Sequence, residues 1–272
     1  MTQDNLRRIL DLVKQQRGLD FSGYRPNLLT RRVMVRVRTL KKEDLNQYCA
    51  YLKSHPEEYD YLLDALTINV TEFFRDGHVF DELERKVLPE LIKRKKESGS
   101  KRVSIWSCPC SSGEEPYSVL MLLAEFLGSR LADYRVKVIA TDIDQQSLIS
   151  ASQGVFEASQ FKNVSPERMR VIENYFYKIG HKYWIREDWP PYIDFKYHDV
   201  IADIPFEHVD LILCRNLLMY FDRSLQEQVI MRFWNALNPA GFLVLGLVES
   251  LTSGVKDLFI EFSSQKRIYQ KR

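Results

Sequence analysis

Residues 101–127, KRVSIWSCPCSSGEEPYSVLMLLAEFL, decide the fold of this chain. Val103 to Ser107 is a short apolar run of strand length. A turn rich in small residues follows, and Pro116 to Leu127 is then apolar at helical length. A buried strand leading straight into a buried helix is one half of a βαβ unit. The pattern repeats downstream. Val136 to Thr141 is a second strand and Gln145 to Gln153 a second helix. Tyr192 to Tyr197, Val209 to Cys214 and Gly241 to Leu247 are further strands, with a helix over Leu225 to Leu237. Short apolar strands alternating with helices predict an α/β domain whose mainly parallel sheet is covered on both faces. Tyr177 to Pro191 interrupts the alternation. It is aromatic and charged, carries Gly180 and stops at Pro190-Pro191, which predicts a small antiparallel β insertion.

Upstream, Gly77 to Lys96 keeps helical spacing through Phe80, Leu83, Val87, Leu88 and Leu91, with Asp76 as its expected N-cap. It runs into Arg94-Lys95-Lys96 and then Ser98-Gly99-Ser100, a helix end and a linker. Before it, four amphipathic stretches predict an all-helical domain: Asp4 to Gln16, Asn27 to Leu40, Asp44 to Lys53 and Glu57 to Thr67. The expected organisation is a helical domain over 1–75, a linker helix over 76–100 and an α/β domain over 101–272, with the insertion at about 177–191. From Arg25 to Lys42 the chain has basic residues and no acidic ones. On a helical wheel Leu29, Val33, Val37 and Leu40 share one side. Arg31 and Arg38 lie opposite, Arg32 on the flank and Arg36 at the edge of the apolar arc, while Val35 and Leu28 fall inside the basic arc.

The whole chain has 272 residues and a net charge of +2, which argues against a general nucleic-acid coat. No apolar run is long enough to span a bilayer, and MTQDNLRRIL lacks the plan of a secretory signal, so a cytoplasmic location is expected. The four cysteines are too few and irregular for a disulfide framework, and Cys108-Pro-Cys110 has no second Cys/His pair at zinc spacing, so no metal is expected.

In an open parallel sheet, ligands bind beyond the carboxyl ends of the strands. Three loops fall there. SCPCSSGEEPYS (107–118) combines small residues, which let backbone approach a ligand, with two acids at a helix start. Those acids repel phosphate and suit a cofactor with an amino group or a cationic centre; read blandly, the loop is a well-capped strand-to-helix turn. TDID (141–144) places Asp142 where an acid accepts ribose hydroxyls and Asp144 where it caps the next helix. CRNLLMYFD (214–222) brings Arg215 and Asn216 to the end of an apolar strand, where a charged group needs an ion-pair partner or a ligand. No Gly-x-Gly-x-x-Gly follows the first strand, which disfavours a nicotinamide dehydrogenase.

NVTEFFR (69–75), SSGEEPYS (111–118), TDID (141–144) and CRNLLMYFD (214–222), in this order after a basic helical region, resemble the chemotaxis receptor methyltransferases, the CheR family. The resemblance covers nearly the whole chain. It implies a Rossmann-like class I methyltransferase domain with a seven-stranded sheet, and S-adenosylmethionine as cofactor. The implied reaction is methyl esterification of glutamate side chains on receptors for sensory adaptation. By the same resemblance Asn69, Thr71 and Arg75 contact the cofactor, Glu115 and Asp142 hold its amino-acid and ribose parts, and Asp199 and Val200 lie beside the adenine. Arg215 and Asn216 match the family's Arg-Asn pair, and Arg75 with Tyr220 the pair that positions the substrate. Arg31, Arg32, Arg36 and Arg38 are expected to steer acidic helical receptor surfaces.

Two departures stand out. Pro109 occupies a place where the family usually has Gly or Ala, and proline offers no N–H. This keeps open a second reading, a catalytically weak S-adenosylmethionine- or S-adenosylhomocysteine-binding signalling partner. The 177–191 insertion is short beside the longer loop with which some members dock a receptor's C-terminal pentapeptide, so independence of that tether is expected.

Overall fold

The computed structural model describes residues 2–67, 70–187, 189 and 192–272. Two compact units emerge, Met1–Ile68 with Met219–Gln226, and Asn69–Leu218 with Glu227–Arg272.

The first unit is built from α1 (Thr2–Arg17), α2 (Pro26–Thr39), α3 (Leu45–Ser54) and α4 (Glu58–Leu66). Each helix turns its apolar stripe inward, with Ile9 and Val13, Leu29, Val33 and Val37, Tyr48 and Leu52, and Leu62 all buried. Asp44 caps α3 by accepting from the amides of Asn46 and Gln47. The segment Met219–Gln226 joins this unit through an antiparallel bridge between Tyr24 and Phe221.

The second unit opens with α5 (Gly77–Glu82), a π-helical turn over Leu83–Val87, and α6 (Leu88–Glu97). The amide of Leu88 reaches back five residues to the carbonyl of Leu83. Pro89 has no N–H to give the preceding turn and its ring crowds the carbonyl four residues back, so the helix widens there instead of running uniformly. The sheet comprises β1 (Arg102–Ser107), β2 (Arg135–Asp142), β6 (Ile193–Tyr197), β7 (Val209–Cys214), β8 (Leu237–Leu245), β9 (Phe259–Ser263) and β10 (Ile268–Lys271), in the order β6-β2-β1-β7-β8-β10-β9. β6, β2, β1, β7 and β8 pair in parallel, and β10 runs antiparallel to both of its neighbours. Connecting helices are α7 (Glu114–Leu127), α8 (Gln145–Gln153), α9 (Pro166–Tyr175) and α10 (Arg223–Ala236). Among the described residues no helix is long and apolar enough to cross a membrane.

The expected insertion is antiparallel, as a three-stranded sheet in the order β3-β5-β4. β4 (Phe176–Ile179) and β5 (Lys182–Ile185) form a hairpin closed by Gly180 and His181. Its third strand, β3 (Val155–Glu157), comes from well upstream of the expected segment. The Pro190-Pro191 stop lies outside the described residues. Phe73, Phe156, Phe161 and Phe176 form an aromatic cluster beneath this sheet, Phe73 stacking on Phe161 at 4.3 Å between centroids. The segment from Thr71 to Arg75, expected with the helical domain, therefore packs in the second unit.

Candidate active site

β1 lies between β2 and β7, so the strand order reverses at its carboxyl end. The loop after β1 lies across its two neighbours. Cys108 N donates to Leu213 O at 2.9 Å, Cys110 N to Thr141 O at 2.8 Å and Ser111 N to Asp142 Oδ2 at 2.8 Å. Amides on both sides of Pro109 are thus bonded to neighbouring strand ends, and the Cys108–Pro109 peptide is cis. Gly113 has φ +100°, and a Cβ there would lie 2.9 Å from that of Ala151, so only glycine lets α7 start this close to α8.

Asp142 and Asp144 divide their work as the sequence suggests for the cap: Asp144 accepts from the amides of Gln146 and Ser147 and starts α8. Asp142 is buried and accepts from Ser111 N and, at 3.0 Å, from Asp144 N. Burial pushes its carboxyl up to about 6, against the pull of those amide donors. The carboxylate retains acceptor capacity beyond the amides it holds.

Arg215 is the hub of the site. Its side chain is 2% exposed, and it pairs with Asp76 at 2.5 Å and Glu115 at 3.2 Å. It also donates to Arg75 O at 2.8 Å. Of the two readings open to it in the sequence, the structure therefore supplies the ion-pair partners. Glu115 takes a second hydrogen bond from Ser107 Oγ at 2.7 Å, and burial pushes its carboxyl up while Arg215 opposes the shift. Asp76 occupies the N-cap position of α5, but it has left-handed backbone (φ 56°) and caps nothing with its side chain. The carboxylate turns to Arg215 because a buried guanidinium is the stronger partner.

Arg75 is half-buried and donates to Val70 O at 2.7 Å. The backbone before it is tied down: Phe74 N donates to Ser118 Oγ at 3.0 Å and Phe73 N to Gln160 O at 3.1 Å. Glu114, the other acid of the loop, accepts from Ser112 Oγ and from Gln160 Nε2, which fixes the same segment to the start of α7. Thr71 is half-buried beside it. Asn69 lies outside the described residues.

Asn216 sits in left-handed backbone (φ 63°), a conformation asparagine tolerates. Glu249 holds it there, one carboxylate oxygen accepting from Asn216 N at 3.0 Å and from Gly246 N at 2.7 Å. Sequence reading missed Glu249; its one signal is an acid three residues after the glycine that ends an apolar strand. Asp199 accepts from Ile201 N at 2.8 Å in the turn after β6, and Val200 beside it is buried.

Glu115 is bonded to the last residue of β1, Asp142 ends β2 and Asp199 follows β6, so the three acids lie at one end of the sheet, and all act electrostatically on the buried Cys108 thiol. Burial, the largest cause, pushes that thiol up. Among the described residues two buried polar atoms of these loops, Ser111 Oγ and Arg215 Nε, have no hydrogen-bond partner. Converging acids suit a ligand that brings an ammonium group and hydroxyls, while the two orphaned atoms suit one that brings polar atoms to bond them.

In the helical unit, Arg31 and Arg38 are exposed on α2. Arg32 donates to Ala65 O at 3.1 Å. Arg36, expected among the substrate-facing arginines, is engaged inside the helical unit. It makes a two-point ion pair with buried Glu58, both bonds 2.8 Å, and Tyr48 donates to the same carboxylate. A buried carboxylate needs its cation, so Arg36 serves the core of the unit. Tyr220 lies in the short 3-10 turn Leu218–Tyr220.

Comparison with known proteins agrees with this geometry. A family model described as CheR methyltransferase, SAM binding domain, matches residues 69–268, and one described as CheR methyltransferase, all-alpha domain, matches residues 4–67. A chemotaxis protein methyltransferase of Salmonella typhimurium is 31% identical over 266 residues, covering 94% of this chain and 87% of that one. Its counterpart in Escherichia coli is 32% identical, covering 93% and 86%. One from Listeria monocytogenes is 31% identical, covering 88% and 87%.

Proposed function

The chain belongs to the CheR methyltransferase family, and from that premise we propose that it methylates glutamate side chains of chemotaxis receptors, forming the methyl esters used in sensory adaptation. S-adenosylmethionine is its cofactor. The observation that carries the assignment to this edge of the sheet is the gathering of Glu115, Asp142 and Asp199 near Cys108 at the strand ends, with Ser111 Oγ and Arg215 Nε unpartnered among the described residues.

In this reading Asp142 accepts the ribose hydroxyls and Glu115, with Arg215 beside it, faces the amino-acid part. Asp199 and Val200 flank the adenine, while Asn69, Thr71, Arg75 and Asn216 complete the contacts. S-adenosylmethionine supplies a methyl group already activated on a sulfonium. A glutamate carboxylate is ionised near neutral pH, so the protein provides no general base. What it must provide is alignment, which falls to Arg75 and Tyr220. Burial of the site keeps water away from the ions that meet there.

The partner in this reading is the cytoplasmic helical domain of a transmembrane receptor, and the enzyme works in the cytoplasm. Arg31 and Arg38, with Arg32 beside them, steer it to that acidic surface. Changing Arg31 and Arg38 together to glutamate is expected to lower kcat/KM for a receptor fragment by about tenfold and to flatten its salt dependence. Steady-state rates across a salt series check this, and an unchanged salt dependence would sink it. The two-residue Gly180-His181 connection between β4 and β5 supports independence of a receptor pentapeptide. Similarity across both domains supports the enzyme over the binding-only reading that Pro109 raised.

Calorimetric titration with S-adenosylhomocysteine tests the site directly. The parent is expected to bind and Asp142→Ala to lose binding. Because the Asp142 carboxyl is pushed up to about 6, protonation below that pH removes an acceptor, so affinity falls as pH drops through 6. Folding stability carries the opposite sign. A raised carboxyl penalises the folded state above pH 6, and that penalty fades as pH falls towards the usual carboxylate range. Affinity that stays flat from about pH 8 to 5 would remove Asp142 from the ribose.

A further inference from the structure

The backbone at Tyr220 is bonded to the segment of the helical unit that precedes α2. Its carbonyl accepts from Arg25 N at 2.8 Å, and the next carbonyl, Phe221 O, accepts from Arg25 Nε at 3.1 Å. Asp222 N donates back to Gly23 O at 2.8 Å, completing the antiparallel bridge between Tyr24 and Phe221. The ring of Tyr24 lies 4.8 Å from both Phe21 and the fully buried Phe221. A Cβ on Gly23 would fall 2.6 Å from Leu225 Cδ2, so the two strips of chain are in close contact. Arg32, on the helix that Arg25 starts, lies within electrostatic reach of Tyr220. Every one of these bonds fixes the backbone that carries Tyr220 and none is needed to close the sheet.

We infer that Arg25 is a positioning residue for Tyr220, holding the 220–222 backbone by its amide and guanidinium. This rests on the assignment of Tyr220 to the substrate carboxylate. Alignment tolerates little error, a displacement of about 1 Å being worth on the order of a hundredfold in rate.

Arg25→Pro isolates the effect. Arg25 already has φ −63° and ψ 116°, which proline adopts without strain, so the substitution removes the donated N–H and the guanidinium together. The full-length parent, Arg25→Pro, Tyr220→Phe and the double variant are compared for methyl transfer to a purified receptor cytoplasmic fragment, with S-adenosylhomocysteine affinity measured on each. Both single variants are expected to lose roughly tenfold or more in kcat with the affinity unchanged. Arg25→Pro should slow the Tyr220→Phe protein no further, because a residue acting through another loses its effect once that one is gone. Arg25→Ala, which keeps the amide, should lose less and show the same non-additivity, and it carries the test if the proline variant folds poorly. A parental rate in Arg25→Pro, or an equal additional loss in both backgrounds, overturns the inference alone. A parental rate in Tyr220→Phe overturns the reading of Tyr220 and this inference with it.

Discussion

Arg75→Ala is expected to lower kcat for methyl transfer by about two orders of magnitude in a protein that remains folded. The two halves of this expectation have separate causes. Folding should survive because the bonds that hold the segment are made by backbone. Phe73 N goes to Gln160 O, Phe74 N to Ser118 Oγ, and Arg75 O accepts from Arg215. Among the described residues the side chain makes one hydrogen bond, to Val70 O, from a half-buried position. Truncating it therefore leaves no buried acceptor stranded. In the proposed reaction activity should fall because there is no base to lose and the rate depends on alignment. A cation beside the carboxylate is the natural means of orienting it, and Arg75 acts electrostatically on buried Glu115 within the site. Single-turnover rates with saturating receptor fragment, alongside a thermal unfolding scan, check both halves. Near-parental turnover would remove Arg75 from the substrate.

Arg215→Met is expected to produce the opposite pattern, a loss of stability first. Arg215 is almost wholly buried between Glu115 and Asp76 and carries the Arg75 carbonyl as well. Methionine fills part of the volume but leaves Glu115 as a buried carboxylate whose nearest cation is gone. Removing one partner of a buried pair costs about 3–5 kcal/mol. The Glu115 carboxyl, already pushed up by burial and drawn back by Arg215, would rise further and take up a proton. Arg215→Lys should recover only part of the loss, since an ammonium cannot fork between Asp76, Glu115 and a carbonyl at once. Urea unfolding of the three proteins measures this. A change below about 1 kcal/mol in Arg215→Met would show that the pair is dispensable.

How far the sequence could be read follows from what each residue answers to. The four N-terminal helices lie within a residue or two of their expected ends, because apolar period and caps such as Asp44 are local properties. Asp144 was legible as a cap for the same reason. Residues with distant partners were not. Asp76 has the local form of a cap, yet its partner is Arg215, far away in the chain. Arg36 sits at the edge of an apolar arc, and only the packing of α4 on α2 shows that Glu58 claims it. β3 is three residues long, and β9 and β10 form one antiparallel margin of the sheet, so none carries enough period to be separated from loop.

The sequence by itself determined the class of the fold, the order of helices and strands, and the three loops at the carboxyl ends. Those depend on hydrophobic period and turn chemistry within a dozen or so residues, and the motifs in the loops pointed to the family. Tertiary structure alone decided which charges remain available. It tied Arg215 to Glu115 and Asp76, Arg36 to Glu58 and Asn216 to Glu249, and left Arg31 and Arg38 exposed. It also placed Tyr220 in the grip of Arg25, nearly two hundred residues upstream. The physical reason is that a buried charge or backbone group must find a partner wherever the chain brings one, and pattern along the sequence holds no record of that distance.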